Sequence, residues 1–199
     1  MNARGLVVVL LLVLVVSEPA SAHTPIQGIG NFYNGLLHPV LVPAHVLLLL
    51  AFGLFLGQQG PKKTQPAFAV FAFATIAGLV AAWFSIGGET EVLVLGLSAV
   101  VGLLVAISPQ VALVWCGALA LLAGFFLGMD SAQSELVGKA KLASLFGSGV
   151  AIYLLVLYPI ALADHFNSKV WQRIGIRVVG SWVAASSLLV LALTLSAKP

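Results

Sequence analysis

Long apolar runs separated by short polar stretches organise this chain. They fall at residues 36–57, 66–86, 91–107, 109–129, 142–163 and 174–196, and each is long enough to cross a bilayer as a helix. The polar stretches between them run to twelve residues at most, which leaves no room for a soluble domain. The pattern predicts an all-α polytopic membrane protein, a single bundle of six transmembrane helices over residues 23–199. Any function is then built inside the bundle.

Ahead of these runs, residues 1–22 have the three parts of a secretory signal. Arg4 precedes an apolar region over residues 6–16, and Ala20-Ser21-Ala22 fits a small-residue cleavage site. Cleavage makes His23 the first residue, whose α-amine and imidazole together can chelate a divalent metal. An uncleaved anchor, giving seven spans, is the alternative. Residues 23–35 read as a polar, glycine-rich segment outside the membrane.

Composition agrees with the pattern: 61% of the residues are hydrophobic and 8% charged, far from the proportions of a soluble domain. A net charge of +3 comes from scattered Lys and Arg rather than from a basic run, which argues against nucleic acid as a partner. Lys62, Lys63, Lys169, Arg173 and Arg177 fall on one side of the bundle, whereas Lys139, Lys141 and Lys198 fall on the other. The positive-inside rule then places the first side in the cytoplasm and both termini outside, the orientation that a signal peptide also imposes. The expected location is a bacterial inner membrane, with the lipid bilayer as partner.

Small residues recur at helix-contact spacing: Gly53 with Gly57, Ser98 with Gly102, Gly124 with Gly128, Ala143 with Gly147, and Gly180 with Ala184. Such pairs predict close helix packing in lipid. They do not set the oligomeric state, and a homo-oligomer stays open. Residues 47–57 also match residues 118–128 at six of eleven positions, as two inverted three-helix halves would. The same offset sets Cys116 against His45, and the expectation is that the two side chains lie at equivalent depths and approach each other as a mixed imidazole and thiolate site.

Chemistry concentrates in Leu36-Leu37-His38-Pro39-Val40-Leu41-Val42-Pro43-Ala44-His45. Imidazoles at membrane depth are candidate functional groups, and backbone loosened by proline survives there only inside protein or along a wet cavity. In a helix starting near Leu37, His45 lies about 12 Å in and His38 nearer the surface on the same face. A kinked helix whose imidazoles merely bond neighbouring helices accounts for the same residues.

Asp130 and Glu135 read either as a cation-gathering vestibule or as solvated loop acids. Asp164-His165 reads as an exit pair or, more simply, as the end of a span. Trp83, Trp115 and Trp182 read as packing or interfacial residues. No G-x-S-x-G, H-E-x-x-H or phosphate-binding loop is present, so the expectation is a protein that is not an enzyme and carries no prosthetic group.

The His38-Pro39-Val40-Leu41-Val42-Pro43-Ala44-His45 element resembles the first span of the HupE/UreJ family, small bacterial membrane proteins with a motif H-P-x-x-G-x-D-H. The signal, six spans and length extend the likeness along the chain, and Gly128-Met129-Asp130-Ser131 looks like the glycine and acid that end a later span in some relatives. The resemblance implies a secondary permease for nickel or cobalt, Ni2+ or Co2+ being the transported ion, in a setting of hydrogenase or urease maturation. His38, Pro39 and His45 match the motif, while Val42 replaces its glycine and Ala44 its aspartate. The metal ligands expected on this basis are His38 and His45, completed by His23 or Asp130, with Cys116 from the repeat. A membrane accessory protein for assembling a metalloenzyme is the alternative.

Overall fold

A computed structural model describes residues 28–84, 90–133 and 135–196. Among them the chain forms seven helices and no strand: α1 Asn31–Leu41, α2 Pro43–Gln59, α3 Pro61–Trp83, α4 Glu91–Ile107, α5 Leu113–Met129, α6 Gly138–His165 and α7 Val170–Ser196. Three of these, α3, α6 and α7, are long and apolar enough to cross a membrane, and α1 with α2 makes a fourth candidate broken by a 70° bend. The remaining two, α4 and α5, are apolar helices of 17 residues. The signal segment and His23 lie outside the described residues.

The first apolar run is not one helix, and its local sequence explains why. Pro43 has no N–H to return to the Pro39 carbonyl, and the residue before a proline is pushed out of the helical region. Val42 is accordingly extended (φ −90°, ψ 109°), and Pro43 opens α2 at the position where a missing donor costs nothing. The Val42 N–H ends α1 on the His38 carbonyl at 3.1 Å, and the Val42 carbonyl accepts the N–H of His45 (3.0 Å) and Val46 (3.2 Å).

Pro39 sits inside α1 and deprives the Gly35 carbonyl of its helical donor. The Ser148 hydroxyl of α6 supplies the missing bond at 3.0 Å. Gly35 permits that approach, because a Cβ there would run into the backbone of Ser144. The segment expected to lie outside the membrane thus ends in a helix starting at Asn31 that packs on α6.

The two limbs run along α6 in opposite senses. Phe32 and Leu36 face Gly147 while Gly35 faces Ser144, an antiparallel register; Gly53 faces Val156 and Pro159 while Gly57 faces Ile160 and Ala163, a parallel one. Residues 51–59 of α2 are all buried, as expected of a helix apolar on every side. It forms the axis of the bundle, with α6 and α4 as its main neighbours.

Each small-residue spacing read from the sequence contributes to a helix crossing. Gly124 and Gly128 of α5 meet Phe71, Thr75 and Gly78 of α3, Gly102 of α4 meets Gly180 and Ala184 of α7, and Gly147 meets α1. The Ser187 hydroxyl of α7 donates to Ser98 Oγ of α4 at 2.8 Å. The contacts also respect the matched segments: α2 lays its two glycines along α6 in parallel, α5 lays its two along α3 in parallel, and α4 pairs with α7. Exchanging the two halves of the chain carries this pattern onto itself. Around the outside, Phe73, Val114, Tyr158 and Trp182 are 70% exposed or more, and Trp115 also faces outward, an apolar surface suited to lipid.

Candidate functional site

The bend at Val42 determines where the two histidines meet. His38 stands in the last turn of α1 and His45 in the first turn of α2, and their rings lie edge to face with centroids 5.2 Å apart. The expectation that His38 lies nearer the surface, two turns above His45 on one helix face, is corrected. A straight helix would separate positions seven apart by about 10 Å along its axis, but the chain reverses its sense along α6 between them and brings both rings to one place.

Asp130 joins them from the end of α5. Its Oδ2 accepts from His45 Nε2 at 2.9 Å, and its backbone carbonyl accepts from His38 Nε2 at 3.3 Å. A carbonyl can only accept, so His38 carries its proton on Nε2. The His45 side chain is fully buried and the Asp130 side chain 9% exposed, which removes Asp130 from the class of solvated loop acids. Asp130 Oδ1 accepts the hydroxyl of Thr90, the residue that caps the start of α4. The carboxylate therefore lies where the amino-terminal ends of α2 and α4 meet the carboxy-terminal end of α5.

With Nε2 of His45 committed to the carboxylate, its Nδ1 is buried and has no hydrogen-bond partner among the described residues. A carboxylate that holds one nitrogen of an imidazole while the other stays available is the arrangement that orients histidine ligands of metals. The cluster is nevertheless not a finished coordination sphere. Among the described residues no three His, Cys, Asp or Glu side chains gather as a metal-holding group.

The other expected site residues are elsewhere. Cys116 is buried in the first turn of α5, and the 14 residues from there to Asp130 span about 21 Å of helix. It does not approach His45. Inverted halves account for this: a two-fold axis between them carries a position near one end of the bundle to the opposite end. Glu135, Asp164 and His165 are exposed, and His165 makes an edge contact with Phe166. Thr90 was not singled out by the sequence; its one legible signal was its place as the polar residue opening an apolar run.

No curated protein and no solved structure matches the chain. The family model described as HupE / UreJ protein matches residues 10–190, nearly the whole length and including both histidines and Asp130. A membrane-type helical bundle, the two histidines of the family's first-span motif and a match over that length together place this chain in the HupE/UreJ family.

Proposed function

We propose that the protein is a secondary permease for a divalent transition-metal ion, nickel or cobalt, in a bacterial inner membrane. In this reading six crossings, formed by α2 to α7 singly with α1 folded back along α6, follow a cleaved signal, with both termini outside. One observation carries it: at one end of the bundle two buried imidazoles lie edge to face, one bonded to the Asp130 carboxylate and the other to the Asp130 backbone carbonyl. Imidazole with carboxylate suits nickel and cobalt. Ala44 replaces the acid of the family motif, and Asp130 supplies a carboxylate to His45 from another helix.

The ion arrives from outside, where His23 and the acidic loops gather it. The neutral ring of His45 receives it on Nδ1 while Asp130 fixes the ring through Nε2, and His38 completes the approach. Helix rocking then exposes the ion to the cytoplasm. Labelled nickel or cobalt uptake by cells expressing His45→Ala tests this; uptake falls by about tenfold or more at unchanged abundance. Uptake equal to the parent's overturns the permease reading.

A second reading, a membrane accessory protein for assembling a hydrogenase or urease, draws on the lack of a ready-made three-residue metal cluster among the described residues. It gives the histidines a packing role only. His45→Ala then lowers abundance and leaves no separate defect in uptake.

A further inference from the structure

The opposite end of α2 carries a second polar cluster. Gln58 and Gln59 are 8% and 6% exposed, so these amides are built into the bundle. Gln58 Nε2 donates to the Val105 carbonyl (3.2 Å) and Gln59 Nε2 to the Pro109 carbonyl (3.0 Å), while Gln59 Oε1 accepts the Val111 N–H (3.1 Å). Gln110 Nε2 donates to the Gln58 carbonyl at 3.1 Å. Lys63 Nζ donates to the Val111 carbonyl (2.7 Å) and to Gln110 Oε1 (3.2 Å). These bonds tie the ends of α2 and α4 to the start of α5 and α3.

The repeat relates this cluster to the one at the other end. The 71-residue offset that aligns residues 47–57 with 118–128 places Gln59 on Asp130 and Pro109 on His38. Asp130 touches His38, and Gln59 touches Pro109. The same residue pair meets at both ends, with the donor exchanged: the His38 ring donates to the Asp130 carbonyl, and the Gln59 amide donates to the Pro109 carbonyl. The chemistry differs: at this end a neutral amide stands for the carboxylate, Pro109 and Cys116 stand for the two histidines, and the resident charge is an ammonium.

We propose that the Gln58, Gln59, Gln110 and Lys63 cluster is the inner gate of the protein, the repeat-related counterpart of the outer His38, His45 and Asp130 cluster, opening when the outer one closes. This rests on the permease reading. The outer cluster holds a cation; the inner cluster, with no carboxylate among its own four side chains and with Lys63 seated on the Val111 carbonyl, lets one go. That difference gives the pathway a direction.

Cys116 is the chain's single cysteine; it is fully buried and about one turn past Val111, so its reactivity reports whether this end is open without reference to any cargo. The experiment is the rate of maleimide labelling of Cys116 in the full-length protein, purified in detergent and then in inside-out vesicles. Lys63→Met and Gln59→Leu are each expected to raise the rate about tenfold by removing hydrogen bonds that close the cluster, whereas Lys63→Arg stays near the parent. Monodispersity and helical content identify any variant that has unfolded, and Gln110→Leu then takes its place. Rates equal across the set to within about twofold overturn the gate. Raised labelling with no ion uptake by the parent leaves the gate standing and removes the permease; normal uptake with unchanged labelling does the reverse.

Discussion

Thr90 shows how much of the histidine and aspartate cluster depends on a single hydroxyl. Asp130 has both oxygens engaged, Oδ2 by His45 and Oδ1 by Thr90, so the carboxylate cannot turn without breaking one of these bonds. Thr90 also starts α4, its carbonyl accepting the Val94 N–H at 3.0 Å, which couples the carboxylate to the position of that helix. Thr90→Val keeps the shape and removes the donor. If the protein is the permease proposed above, the expected outcome is a rise of about tenfold in the ion concentration for half-maximal uptake, from loss of a partner that fixes the carboxylate, with Thr90→Ser close to the parent. A Thr90→Val protein with the parent's concentration dependence removes Thr90 from the site. His38 and His45 stood out in the sequence because ionisable groups are rare in apolar runs; Asp130 lay just past a run and read equally well as a solvated loop acid, and Thr90 did not stand out, because a threonine ahead of a helix is ordinary.

The helices themselves carry the next lesson. Pro39 and Pro43, four residues apart, both forfeit a backbone donor, yet only Pro43 ends a helix. Ser148 accounts for part of that difference by donating to the carbonyl Pro39 leaves open. Ser148→Ala therefore strands a buried carbonyl and lowers stability by about 1–3 kcal/mol, read as an earlier thermal transition of the purified protein; an unchanged transition means that the Gly35 carbonyl finds another donor. The glycine spacings predicted close approach and the structure places Gly53, Gly57, Gly124 and Gly128 at helix crossings. Which helix each would meet was not in the spacing, since one small face fits any other. The residues at which α4 begins and ends coincide with the apolar run, whereas α3 begins earlier because Pro61 serves as its first residue.

Across the bundle, two polar clusters terminate one buried apolar axis, and about 20 Å of α2 separates His45 from Gln58. An ion held by imidazole competes with protons, because only the neutral ring has a lone pair to give. In the permease reading, acidifying the outside medium far enough to protonate imidazole therefore lowers uptake, and the loss reverses on returning to neutral pH. A pH profile that rises with acidity instead points to protons driving the ion and overturns simple competition at the outer cluster. Membrane-type helices, close glycine packing and the histidine-bearing element were all written in the order of residues, because hydrophobic run length, small-residue spacing and proline chemistry act locally. The meeting of His38 with His45, the arrival of Asp130 and Thr90 from distant helices, and the removal of Cys116 to the other end needed the assembled bundle. These depend on the 70° bend at Val42 and on the inverted relation of the halves, and neither an angle nor a depth is encoded in the spacing of residues along one chain.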